Sequence, residues 1–160
     1  MGKVKVEIAK YLKKNNLCVL CTCNKDEPRA SPVSYRSDGL TINIFSEIFT
    51  YKYKILKKNR KVSIGIYTSS HPDKGLQLWG KAEVITYEDP RHDKCLPPQV
   101  KKNPKYKSLR KIVHLIQITP YKILMIDTAR KGNHFLKWEI DKTGKEIEKE
   151  IKTFRGATKV

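Results

Sequence analysis

Ser46, Thr50, Tyr51 and Lys52 fall where a short apolar strand gives way to a Lys-rich helix. Two hydroxyls, an ammonium and the free backbone N–H groups of a helix start therefore converge on one point. Such a set suits an anion, a phosphate above all, because the orphan amides carry partial positive charge and the lysine adds a full one. Lys52 is also compatible with a solvated lysine on a basic helix, so its surroundings decide between the two. No carboxylate pair, Ser/His/Asp set or Cys/His pair has the spacing of an acid–base or nucleophilic site.

Four cysteines occur. Cys18, Cys21 and Cys23 share one predicted strand, with Cys21 and Cys23 on one face and Cys18 on the other, while Cys95 stands alone. That arrangement is poor for chelation, and His71, His92, His114 and His134 are scattered without ligand spacing, so no metal site is expected. Cysteines packed as small apolar side chains imply a reducing, cytoplasmic compartment.

The elements that must position the junction follow from periodicity. Val4, Ile8, Tyr11 and Leu12 mark an amphipathic N-terminal helix ending near Asn15 and Asn16. Three hairpin-linked strands are predicted next, over 17–23, 29–36 and 40–45, with turns at 24–28 and 37–39. Phe49 to Lys58 has helical spacing, with Phe49, Tyr53 and Leu56 on one side and Asn59 suited to the C-cap. Long central strands are predicted over 61–68 and 75–86. Asp89 followed by Pro90 signals a short helix that ends by Pro97 and Pro98. Lys101 to Lys111 is a basic helix or loop. Strands over 112–119 and 121–127, separated by Pro120, a turn at 131–133 and a hairpin of 135–140 with 146–151 complete the chain. Short antiparallel strands with a few peripheral helices make a mainly β protein, a barrel or sandwich.

With 160 residues, one domain is expected: a helix over 1–16, a barrel over 17–127 and a C-terminal hairpin or extension over 128–160. Hydrophobic residues make up 39%, in patterned runs, which argues for a folded chain despite 31% charged residues. The apolar runs are too short for a membrane helix and the N-terminus carries no signal-peptide core, so no membrane partner is expected. The 34 basic residues exceed the 16 acidic ones, a net charge of +18. That excess concentrates anions of any kind, from nucleic acid to phosphorylated small molecules, and also fits a Lys-coated surface.

Several motifs then stand in order: Arg29-Ala30-Ser31-Pro32-Val33, the junction from Phe45 and Ser46 to Lys52, the spacing Lys52, Leu56, Asn59, the strand 62–66, and the run Leu76 to Val84 with Gln77 and Gly80-Lys81-Ala82-Glu83-Val84. Over roughly residues 4 to 127 this order resembles the FMN-binding split-barrel family, the pyridoxamine 5′-phosphate oxidase-like proteins. The resemblance implies an antiparallel split β-barrel of Greek-key type, a homodimer with the cofactor at the subunit interface, and FMN as that cofactor. It makes Lys52 the phosphate-binding lysine, Thr50 the nearby hydroxyl, Ser46 the hydroxyl ending the strand after Phe45, and Arg29 a second cation. Tyr51 stands where pyridoxamine phosphate oxidases carry a basic residue. Backbone groups of Ala30, Ser31, Pro32 and Val33 would line the flavin ring, and Gln77 would face it. Trp138 and Arg130 are the C-terminal candidates for reaching a partner's flavin.

Nothing from Phe135 to Val160 reproduces the Arg-containing substrate signature of true pyridoxamine phosphate oxidases, so vitamin synthesis is not expected. The resemblance implies an FMN-dependent oxidoreductase acting on an unidentified small molecule, with the redox chemistry carried by the flavin. A deazaflavin coenzyme is the alternative, its longer anionic tail suited to Lys101–Lys111. From other classes come a nucleic-acid or polyanion-binding protein, resting on the charge and on Tyr106 within that basic cluster, and a non-catalytic flavin or haem carrier.

Overall fold

The computed structural model describes residues 2–67, 73–96, 98–128 and 133–153. Helix α1 (Lys3–Lys14) buries Val4, Ile8, Tyr11 and Leu12, the stripe its periodicity marks. It lies across one end of the sheet, where Glu148 Oε2 accepts from the Val4 amide at 3.0 Å and Lys5 donates to Glu146 at 2.6 Å. Strands β1 (Leu17–Asn24) and β2 (Glu27–Ser34) form a hairpin paired from Leu17↔Ser34 to Asn24↔Glu27. Its turn is tighter than the 24–28 segment expected, because Lys25 adopts a left-handed φ of 53°.

The predicted strand over 29–36 divides at Tyr35. Its side chain turns into the core, and its hydroxyl donates to the Leu12 carbonyl at 3.0 Å. The chain beyond it, β3 (Arg36–Asp38), pairs instead with β4 (Thr41–Glu47), across a turn at Gly39 with φ 57°. Helix α2 (Tyr51–Leu56) is shorter than the predicted 49–58. The Thr50 amide and hydroxyl both bond to the Glu47 carbonyl, at 3.2 and 2.8 Å, so Phe49 falls in a turn and is 57% exposed. Asn59 is not the cap, which is Lys57. Its amide group instead donates to the Cys23 carbonyl at 3.0 Å while its Oδ1 accepts from the Lys61 amide at 3.0 Å, fastening the end of the helix to β1 and the next strand.

Strands β5 (Lys61–Tyr67), β6 (Lys74–Ile85) and β7 (Val113–Asp127) carry the centre of an antiparallel sheet with the order β2-β1-β5-β6-β7-β4-β3. β7 runs through Pro120 as one strand where two were expected. At that point the register with β6 shifts between Trp79 and Gly80, so that Gly80 faces Pro120 while Trp79 faces Lys122. The extra residue, Tyr121, absorbs the ladder bond that proline cannot donate. Gly80 is required there: a Cβ would lie 2.8 Å from the Thr119 carbonyl oxygen. The second half of β7 also pairs with β8 (Asn133–Ile140), which pairs with β9 (Glu146–Thr153) as the predicted hairpin.

The sheet curls without closing. Leu20, Ile42, Ile44, Ile64, Ile66, Leu78, Ile116 and Ile118 fill its inside with the apolar stripe of α1. Between β6 and β7 lie three short helices: α3 (Pro90–Lys94), capped by Asp89 through its bond from the Arg91 amide, α4 (Pro98–Lys101) and α5 (Pro104–Leu109). The basic segment 101–111 is thus partly helical, broken at Asn103, which caps α5. Among the described residues no helix is long and apolar enough to cross a membrane.

Candidate functional site

A cavity of about 770 Å³ opens where β2, β3, β4 and the ends of α1 and α2 meet. Val33, Phe45 and Lys52, from three elements, line it together. Sheet topology explains the juxtaposition: among the described strands β2 is an edge strand, bonded only to β1, so its outer edge faces the gap in the barrel without a strand partner. At the junction the Ser46 and Thr50 hydroxyl oxygens lie 3.0 Å apart, with Ser46 buried, and of the expected phosphate set Lys52 is the member that lines the cavity. Thr50 holds the non-helical backbone of an N-cap without a side-chain bond to the helix, so the first amides of α2 keep their donor capacity.

The other expected site residues are placed elsewhere. Arg29 does not line the cavity; its guanidinium pairs with Glu27 at 2.7 Å and stacks over the Tyr51 ring at 4.4 Å, in a separate groove of about 190 Å³. A cation over an aromatic face is a stable arrangement of its own, and it gives Tyr51 a role at the position where the family resemblance implies a second basic residue. Pro32 and Gln77 line a third groove, of about 520 Å³, on the other side of β2. Alternation along β2 forces this division: Arg29, Ser31 and Val33 are half-buried on one face, while Ala30 and Pro32 are exposed on the other. Trp138 is 3% exposed and belongs to the core, its indole N–H donating to Glu146 at 3.4 Å, so it does not reach outward. Arg130 lies outside the described residues, as does the side chain of Tyr106.

Behind the junction, the Tyr53 hydroxyl and His114 Nδ1 lie 2.7 Å apart, tying α2 to β7. Burial, with His92 nearby, holds the His114 pKa below its ordinary value, so the neutral ring is favoured. His92 is fully buried beside Phe45, with ring centroids 5.4 Å apart and Nε2 2.9 Å from the Val113 carbonyl. It thereby fixes the phenyl ring that lines the cavity. Cys18 is buried and its thiol is pushed up to about 12, mainly by desolvation, the state of an inert packing residue. No cluster of three or more His, Cys, Asp or Glu side chains converges among the described residues.

Sequence reasoning missed Lys13, Arg36 and Asn43, which also line the cavity. Nothing in the residue pattern marks Lys13 and Arg36 among 34 basic residues; their shared position follows from the turn at Tyr35, whose amide donates to the Asn16 carbonyl at 2.8 Å.

The solved structures similar to this chain have the same fold. An FMN-binding protein related to pyridoxamine 5′-phosphate oxidase from Nostoc punctiforme PCC 73102 superposes with a TM-score of 0.68 at 10% identity, over 92% of this chain and 93% of that one. A Clostridium acetobutylicum protein of the pyridoxinephosphate oxidase family, related to general stress protein 26 of B. subtilis, gives 0.68 at 15% identity, over 87% and 96%. An F420 reductase gives 0.57 at 18% identity, over 71% and 93%. No curated protein matches the chain. Residues 4–125 match the sequence model of the pyridoxamine 5′-phosphate oxidase family, covering the barrel, the junction at Lys52 and the Gly80 bulge, and the chain belongs to that family.

Proposed function

We propose that the protein is an FMN-dependent oxidoreductase that works as a homodimer on a small molecule. The observation that carries this reading is the meeting of Val33, Phe45 and Lys52 on one cavity of about 770 Å³, the size of an organic-cofactor site. Lys52, with the Ser46 and Thr50 hydroxyls and the amides of α2, would hold the flavin phosphate through charge-assisted bonds. The unpaired edge of β2 from Ala30 to Val33 would hydrogen-bond the ring edge, and Phe45, held by His92, would give it an apolar wall. Bound FMN supplies hydride or electron transfer; the chain's own residues bind it, orient it and shield it from water.

A second copy of this chain would cover the groove containing Pro32 and Gln77. Leu17 (63%), Val19 (38%) and Tyr67 (65%) line that groove and are exposed, which supports an interface there. Its free cysteines support a reducing, cytoplasmic setting.

The test is the purified protein itself. It should be yellow, release FMN on denaturation and have the mass of a dimer in solution. A colourless protein that takes up no FMN when offered it would overturn the reading. The fold likeness to an F420 reductase, together with the extra cations on the cavity, favours a deazaflavin coenzyme as the second reading, and competition between the two cofactors decides it.

A further inference from the structure

Lys52 shares its cavity with two more cations. Lys13 comes from the last turn of α1 and Arg36 opens β3, and neither these two nor Lys52 forms an ion pair with any described carboxylate; no described residue lining the cavity is acidic. Like charges gathered round one space repel one another and focus a positive field into it. Lys13 and Arg36 are exposed and Lys52 half-buried, so the cations meet solvent on one cavity where an anion would find all three.

The position of Lys13 and Arg36 is built rather than accidental. The Tyr35 hydroxyl donates to the Leu12 carbonyl at 3.0 Å and the Tyr35 amide to the Asn16 carbonyl at 2.8 Å, clamping the end of α1 against the start of β3. Beside them Asn43, 6% exposed, accepts from Gln117 Nε2 at 3.1 Å through its Oδ1, which leaves its amide hydrogens for a ligand. In the reading above, Lys52 with Ser46 and Thr50 holds the flavin phosphate at α2. Lys13, Arg36 and Asn43 stand on other elements and are not needed for it.

We propose that Lys13 and Arg36, assisted by Asn43, form a second anion subsite, so that the molecule reacting at the flavin carries its own carboxylate or phosphate and is oriented by it. This rests on the reading above, in which the Lys52 end holds the flavin phosphate.

The experiment titrates FMN-loaded protein with benzoate, its neutral counterpart benzamide and inorganic phosphate, following the flavin absorbance band and, for phosphate, heat. Wild-type protein should bind benzoate and phosphate but not benzamide. The double variant Lys13→Ala/Arg36→Gln should bind both anions about tenfold more weakly while its FMN affinity stays within about twofold, a separation of roughly 1 kcal/mol. The proposal is overturned if neither anion binds the wild type, if the variant binds them equally well, or if the variant loses FMN as Lys52→Ala does. It is also overturned if a deazaflavin coenzyme loses affinity in the double variant only when it carries its anionic tail, since the cations then serve the coenzyme. Should the wild type take up no FMN, the flavin reading fails separately. The same anions are then titrated calorimetrically onto the FMN-free protein, where binding dependent on Lys13 and Arg36 upholds the subsite and its absence overturns it.

Discussion

Two arginines stand at opposite ends of a single cross-strand row. Arg36 on β3 is opposite Asn43 on β4, Asn43 is opposite Gln117 on β7, and Gln117 is opposite Glu83 on β6. At the far end Arg91 from α3 closes on Glu83 at 2.8 Å and on Asp89 at 2.7 Å. Its bonds hold both carboxyls below their usual range and raise its own pKa. Arg36 finds no described carboxylate and faces a cavity instead. Lys5, Lys74, Arg110 and Lys137 follow Arg91, each with a carboxylate oxygen within 3.0 Å, whereas Lys13 and Lys52 follow Arg36. In a chain of net charge +18, a carboxylate partner marks the cations that fasten the fold, and a shared cavity sets Lys13, Arg36 and Lys52 apart from them.

The sharpest break of that comparison is Lys52→Ala. It should weaken FMN binding by about 1.5–3 kcal/mol, the range for a hydrogen bond to a charged group, with little change in melting temperature. Fluorescence titration with FMN beside a thermal melt checks both halves, and unchanged cofactor affinity would move the phosphate elsewhere. Lys74→Met should do the reverse. Its Nζ lies 3.0 Å from Asp127 Oδ2, and Asp127 is 1% exposed while the lysine is a third exposed. Removing this cation from beside a buried carboxylate should cost about 1–3 kcal/mol in urea unfolding, below the full buried-pair value because the lysine is partly solvated, while FMN affinity is kept.

Acidification tests the support behind the junction. The His114 pKa is lowered in the folded state, so the unfolded chain binds more protons and stability is lost as the pH falls below about 6.5. The urea midpoint should therefore drop between pH 7 and pH 5, and His114→Gln should remove part of that slope; a midpoint whose pH dependence is identical in the variant would refute the assignment. The smallest effect belongs to Arg91→Gln. Because the depressed carboxyls of Glu83 and Asp89 stabilise only above their unfolded pKa values, any loss appears near neutral pH and vanishes in acid. The exposure of this pair should keep the shift in melting temperature slight, with FMN binding untouched.

Local patterns made much of this legible. The stripe of α1, the alternation of β1, the Asp89 cap and the C-terminal hairpin all follow from neighbouring residues, since burial periodicity and capping are short-range effects. Pro120 misled because its missing donor is answered by a bulge with Gly80 on another strand. Phe49 misled because a turn fastened to Glu47 delays the helix.

The sequence by itself determined the strand content, the family motifs and the grouping of Ser46, Thr50 and Lys52, which lie within seven residues and need only a local turn to meet. Tertiary structure alone decided which distant charges share their space. The ion pair with Glu27 and the stack on Tyr51 hold Arg29 away from the cavity, strand alternation turns Pro32 to the opposite face, and the fold of Tyr35 onto α1 brought Lys13 and Arg36 to it. Pairing register and the open edge of the barrel set those meetings, and both depend on contacts between segments far apart in the chain.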